Sequence, residues 1–166
     1  MGPVKNQRWI YASAKELLER IIYAHGVQDG LDFTIIRPFN FVGPKIDYLV
    51  GPGAVGGPRV FSHFMSALLN GGPMHMVDGG NAHRSYTHIE DASRAIQLII
   101  ESPEDSHQEI INIGSPQNGA TVRELALLMV ELYEELTGKV TDARLVDISG
   151  TSFYGAGYED CDWRGP

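Results

Sequence analysis

Apolar residues recur at helical spacing between Ala12 and His25, at Ala14, Leu17, Leu18, Ile21 and Ile22, and Gly26 follows as a stop signal. This predicts a helix over 12–25. Asp32 to Arg37 is a short β-rich run closed by Pro38, which reads as a buried strand. Residues 40–58 carry five glycines and three prolines, which predicts one long loop, a kind of segment that is often functional. A helix is predicted from Arg59 to Asn70, ended by Gly71-Gly72-Pro73. Met74–Val77 and Arg84–His88 read as strands around an Asp78-Gly79-Gly80-Asn81 turn. Glu90–Glu101 reads as a helix that stops before Pro103, and Glu109–Ile113 as a strand. Thr121-x-x-Glu124 is a capping-box pattern opening a helix that runs through Leu125, Leu128, Met129, Leu132 and Leu136. Ala143–Ile148 reads as a last strand, and the tail from Gly150 is rich in glycine and aromatics. Strands alternating with helices predict an α/β fold with a largely parallel sheet.

Composition narrows the classes. At 166 residues the chain is the size of one domain. Its 43% hydrophobic and 20% charged residues are those of a folded domain rather than a disordered one. No apolar run approaches the ~20 residues that span a bilayer, so no membrane partner is expected. A net charge of −8 disfavours nucleic acid, whose phosphates require a basic face. Cys161 is the single cysteine and the six histidines are scattered, so no zinc spacing and no metal site is expected. With no signal pattern at the N-terminus, a reducing cytoplasmic location is expected.

Four constellations could carry chemistry. In Tyr11-x-x-x-Lys15 the i and i+4 positions share a helix face, so phenol and ammonium can be neighbours. A nearby cation favours the phenolate, as a base working near neutral pH requires. Taken alone, such a pair also arises by accident. Gly51-Pro52-Gly53-Ala54-Val55-Gly56 spells a dinucleotide fingerprint, but Pro52 removes an N–H from the turn that would cradle phosphate. A plain loop is the better reading there. Arg8, Arg59, Arg84 and Arg164 are either solvated surface charges or, if they converge, forked donors for phosphate or carboxylate. Tyr154-Gly155-Ala156-Gly157-Tyr158-Glu159-Asp160 is either a terminal loop with two packing aromatics or a ligand clamp.

Together these pieces resemble the extended short-chain dehydrogenase/reductase family of nucleotide-sugar enzymes, and within it the dehydrogenase-decarboxylases that oxidise UDP-glucuronic acid. Arg8-Trp9-Ile10-Tyr11-x-x-x-Lys15 resembles the family's catalytic helix, and Phe33 to Pro44 the strand and turn after it. Asp78-Gly79-Gly80, Glu109 to Gly114 and the tail Tyr154-Gly155-x-Gly157-Tyr158-x-Asp160-x-x-x-Arg164-x-Pro166 extend the likeness over the whole chain. The resemblance implies NAD as cofactor and a UDP-sugar as substrate. It implies Tyr11 as the base at the sugar C4 hydroxyl, and Lys15 as its tuner and holder of the nicotinamide ribose. Pro38 and Phe39 would lie beside the nicotinamide. Arg8, Asn40, Arg59, Arg84 and Tyr158 would hold the UDP-sugar, and Arg164 would act as an acid in decarboxylation. His75 stands where the relatives carry a substrate-binding lysine, which makes recognition there weaker or pH-dependent. A homodimer through the Tyr11–Lys15 helix is also implied, although the stripe Leu17, Leu18, Ile21, Ile22 suits plain core packing equally well.

Only ten residues precede Tyr11, so the family's glycine-turn half has no counterpart here. Residues 1–166 are therefore expected to be the C-terminal portion of one Rossmann-like domain, the dinucleotide-binding strands missing. Alone, the chain is expected neither to bind NAD tightly nor to turn over, and to expose an apolar strand edge. Oxidative decarboxylation to a UDP-4-keto-pentose is the leading reading. A 4-epimerase or 4,6-dehydratase is the second, separated by carbon dioxide release. A non-catalytic nucleotide-sugar-binding fragment is the third, separated by UDP binding without redox activity.

Overall fold

The computed structural model describes residue 4, residues 9–45, 47–49 and 59–158, and the backbone of 163–164. It opens with a long helix, α1 (Trp9–Asp29), followed by strands β1 (Ile35–Pro38) and β2 (Asn40–Val42). Helix α2 (Val60–Asn70) leads to β3 (Gly72–Val77), a 3-10 turn (Asp78–Gly80) and β4 (His83–His88). Then come α3 (Ile89–Glu101), α4 (Pro103–Ser106), β5 (Ile110–Ile113) and β6 (Gly119–Thr121). The chain continues through α5 (Val122–Thr137), β7 (Ala143–Ile148), α6 (Gly150–Tyr154) and β8 (Trp163–Arg164).

The α/β class and the parallel pairing are as the sequence predicts. Strand β1 pairs in parallel with β5, β2 with β4, β3 with β7 and β8 with β4. The antiparallel pairing is β4 with β6.

The core lies where α2 and α5 cover the β3–β7 pair. Phe64, Ala67 and Leu68 of α2 meet Met74 and Met76 of β3 and Leu125, Ala126 and Met129 of α5. Met74 and Met76 alternate with half-buried His75, the period-2 signature of a strand with one face covered. Each Phe, Leu or Met of this set contributes roughly 1.5–3 kcal/mol on full burial. Helix α5 begins with the predicted capping box: Thr121 Oγ1 accepts from Glu124 N at 3.1 Å, and Thr121 N donates to Glu124 Oε2 at 2.7 Å. It ends on Gly138, left-handed at φ 65°.

Four sequence expectations are corrected. Gly26 does not stop α1, which runs on to Asp29. Gly26 is the buried point where Phe33 presses on the helix, and a Cβ there would overlap the Phe33 ring. The chain turns instead at Gly30, with φ +68°. The predicted loop 40–58 begins with a strand, because Asn40–Val42 pairs with Tyr86–His88. Strands β6 and β8 and helices α4 and α6 have no counterpart in the sequence reading. The apolar stripe of α1 does not pack into a core: Leu17, Leu18 and Ile21 are 58%, 52% and 44% exposed. What seats α1 is the Arg37–Glu19 pair at 2.5 Å, the edge-to-face Tyr23–Phe33 contact at 6.2 Å and the Gly26–Phe33 contact.

Candidate functional site

Strand β4 is the spine of the site. It lies between β2 and β6 and also receives β8. Parallel register sets Asn40 opposite Tyr86 and Arg84 opposite Arg164. Asn40 Nδ2 donates to the Ser85 carbonyl at 3.0 Å, which fixes its amide against β4. Arg84 is only 9% exposed, and its Nη1 donates to the His83 carbonyl at 2.8 Å. Asn40 and Ser85, 45 apart in sequence, are thus bonded, and strand register sets the backbone of residue 164 beside that of Arg84.

Arg59 joins this group from the start of α2. Its Nη1 reaches the Phe41 carbonyl at 3.5 Å, next to Asn40. Asp47 anchors it: the carboxylate accepts from Arg59 N at 3.0 Å, Tyr48 N at 3.0 Å and Arg59 Nε at 3.4 Å. Burial opposes ionisation of Asp47, but those N–H donors and the guanidinium hold its carboxyl below the usual range.

A second group forms along β3 and the tail. His75 packs against Phe153 at 5.5 Å between ring centroids, Phe153 against Tyr154 at 4.7 Å, and Tyr154 stacks on Tyr158 at 4.2 Å. Four rings thus join two predicted substrate residues, His75 and Tyr158. Burial lowers the His63 pKa on the neighbouring α2, and the charge of His75 lowers it further, with Asp47 opposing.

Pro38 and Phe39 sit at the C-terminal end of β1. Pro38 is in register with Ile113, and Phe39 N donates to the Ile113 carbonyl at 3.0 Å. They lead directly into Asn40. Tyr11 and Lys15 stand on the open stretch of α1, with Lys15 Nζ 5.6 Å from the centroid of the Tyr11 ring and Tyr11 71% exposed. The predicted neighbour relation is present, with the ammonium over the ring face. Arg8, Cys161, the Arg164 side chain and the Gly51–Gly56 motif lie outside the described residues.

Sequence reasoning missed Asp47, Asp78 and Phe153. Asp78 sits at φ +47° and its Oδ1 accepts from Gly150 N at 2.8 Å, tying the turn to the tail. The Asp-Gly-Gly turn was a visible signal for Asp78, whereas nothing local marks Asp47. Tyr86 is no candidate base, since burial pushes its phenol up to about 12. A groove of about 490 Å³ between α3 and the end of β5, lined by Thr87, Asp91, Asn112 and Ser115, contains none of the predicted residues. Among the described residues no three His, Cys, Asp or Glu side chains gather as a metal-ligand set, and no helix is long and apolar enough to cross a membrane.

Residues 1–114 match the NAD dependent epimerase/dehydratase family. The chain belongs to that family. It is 45% identical over 168 residues to a UDP-D-apiose/UDP-D-xylose synthase of Oryza sativa subsp. japonica, covering 99% of this chain and 42% of that protein. Among solved structures it is similar to the PbgP3 protein of Burkholderia pseudomallei, with TM-score 0.76 and 37% identity over 90% of this chain and 45% of the other. It is also similar to a UDP-glucose 4-epimerase of Thermotoga maritima solved with UDP-glucose, with TM-score 0.66 and 29% identity over 84% and 40%. The chain thus spans less than half the length of these relatives, and its α/β architecture is part of their Rossmann-like fold. The family is NAD-dependent by its description. Lys15 Nζ lies over the Tyr11 ring in solvent, and Pro38-Phe39 stand at the C-terminal edge of a parallel strand pair, the end at which open α/β sheets bind ligands.

Proposed function

We propose that this chain is the catalytic-helix and substrate-side part of an enzyme that oxidatively decarboxylates UDP-glucuronic acid to a UDP-4-keto-pentose. The observation that carries this reading is the β4–β8 register, which sets Arg164 opposite Arg84 beside the Asn40–Arg59 group. Two arginines at one strand position suit a substrate bearing a carboxylate as well as phosphates. The names of the 45% and 44% identical synthases, whose products are pentoses, support loss of one carbon from a hexuronate.

On this reading Arg8, Asn40, Arg59, Arg84, His75 and Tyr158 hold the UDP-sugar. Tyr11 takes the proton of the C4 hydroxyl, and Lys15 steadies Tyr11 and the cofactor ribose, with Pro38 and Phe39 beside the nicotinamide. Bound NAD would supply the hydride acceptor for C4. The C4 ketone stands β to the carboxylate, so the C5–C6 bond can break with its electron pair passing into an enolate. Arg164 meets that developing charge and returns a proton to carbon. The outward apolar stripe of α1, Leu17, Leu18 and Ile21, supports a homodimer seam on that helix. A shift to monomer in sedimentation velocity for Leu18→Asp tests it.

The test of the reaction is the full-length enzyme given NAD and UDP-glucuronic acid labelled with ¹³C at C6. Labelled carbon dioxide is the expected product, lost in Arg164→Met. Formation of a 4-ketone or a 4-epimer without labelled carbon dioxide overturns the decarboxylase reading in favour of an epimerase. The 166-residue chain alone should give no NADH absorbance at 340 nm with the same substrates.

A further inference from the structure

Asp78 lies outside every role assigned above, yet its carboxylate spans 72 residues to reach the tail. The turn that carries it is braced from behind. Arg123 Nε donates to the Gly79 carbonyl at 2.8 Å, and its guanidinium pairs with Asp147 at the end of β7. From that fixed post Asp78 Oδ1 accepts the N–H of Gly150, the first residue of α6. Gly150 is buried, and a Cβ there would lie 2.5 Å from Asp78 Oδ2 and 2.6 Å from Tyr158 Cδ1. Asp78 and Tyr158 therefore both close on the space a Gly150 side chain would take. Tyr158 continues into the Tyr154, Phe153 and His75 stack.

We infer that Asp78 is a positioning residue: through the Gly150 N–H it sets where Tyr158 stands relative to His75. The inference rests on the proposed role of His75 and Tyr158 as contacts to the nucleotide sugar. Gly150 is required for the contact itself rather than for backbone freedom, since its conformation lies outside the left-handed region.

Three variants separate the hydrogen bond from the backbone. Asp78→Gly keeps the positive φ without strain and deletes the acceptor. Asp78→Asn keeps an Oδ1 acceptor and also tolerates that φ. Gly150→Ala forces Asp78 and Tyr158 apart and leaves both in place. Near-ultraviolet circular dichroism of the 166-residue chain reads the stacked tyrosine pair, and far-ultraviolet dichroism checks that each variant is folded. Calorimetry with UDP reads the site. Asp78→Gly and Gly150→Ala should lose the tyrosine signal and weaken UDP binding about tenfold, the scale of one hydrogen bond to a charged group. Asp78→Asn should retain both. A folded Asp78→Gly variant with the wild-type tyrosine signal overturns the inference. So does an Asp78→Asn variant as damaged as Asp78→Gly. If the wild-type chain binds no UDP while the dichroism pattern holds, the positioning stands and the nucleotide-sugar reading of these residues falls.

Discussion

Replacing Gly26 with alanine sets two effects of known size against each other. Alanine in a helix interior is favoured over glycine by about 0.8–1 kcal/mol. The new Cβ, however, would overlap Phe33 Cε1 and come within 2.9 Å of Phe33 Cδ1, with the Leu31 carbonyl 3.4 Å away. The carbonyl side gives nothing, so the Phe33 ring must move. That ring also holds Tyr23 edge-to-face, an arrangement worth about 0.5–1.5 kcal/mol beyond its burial. Overpacking of this kind costs about 1–3 kcal/mol, so steric loss exceeds the propensity gain and α1 should be held less firmly by about 1 kcal/mol. Because α1 is attached by few contacts, the effect belongs to local opening rather than to global unfolding. Amide hydrogen exchange in the second half of α1 should accelerate about fivefold, while exchange in α5 stays unchanged. The double variant Gly26→Ala with Phe33→Leu should recover the propensity gain, because the two sites share the contact. Slower α1 exchange in Gly26→Ala alone would refute the reasoning and leave propensity as the ruling effect.

Three further outcomes are expected. Among the described residues the Tyr86 hydroxyl is buried without a hydrogen-bond partner, so Tyr86→Phe should raise stability, by about 1 kcal/mol in a urea melt, and a loss of that size would contradict it. Folded His63 has its pKa below the ordinary 6.5, so the unfolded chain takes the proton first as pH falls. Its contribution to stability is full above about 6.5 and declines below it until the folded group also protonates; urea midpoints at pH 7.5 and 5.5 should lie closer together in His63→Gln. Thr121→Ala removes the capping box of α5 and should cost about 1 kcal/mol in the melt, with no change in m-value.

Elements whose sequence pattern is local were readable in advance. The capping box at Thr121 and Glu124 names its own partners three residues apart, and Met74 and Met76 announce a covered strand by alternation. Strand β2 was hidden because three residues in a Gly/Pro-rich stretch have no period to read; only pairing with β4 makes them a strand. Gly26 misled for a related reason. Glycine before a break signals a helix end, but here the small side chain serves the Phe33 contact. In the site, Asn40, Arg59, Arg84, His75 and Tyr158 were named from the resemblance; Asn40 bonds the carbonyl of Ser85 next to Arg84, Arg59 bonds the carbonyl of Phe41 next to Asn40, and Phe153 and Tyr154 bridge His75 to Tyr158. Asp47 and Asp78 were not, because their partners lie 12 and 72 residues away; the Asp-Gly-Gly turn marks a bend at Asp78 but not its partner, and nothing local marks Asp47.

The molecule uses its apolar residues in two ways. Around α2, α5, β3 and β7 they are interior: Phe64, Met74, Met76 and Ala126 are at most 1% exposed. On α1 they face outward, and Gly26 is that helix's buried residue. The candidate redox pair stands on α1, and the cationic substrate group on β2, β4 and the residue before α2. On the proposed function this separates binding from chemistry. The proposed diphosphate contacts Arg84, Asn40 and Arg59 are held within the chain by the His83 and Ser85 carbonyls and by Asp47. Hydride transfer needs water kept from Tyr11 and Lys15, and in this chain both are open to solvent. The chain alone should therefore bind UDP measurably in a calorimeter while producing no NADH. Turnover by the isolated chain, or absence of UDP binding in it, would break that separation.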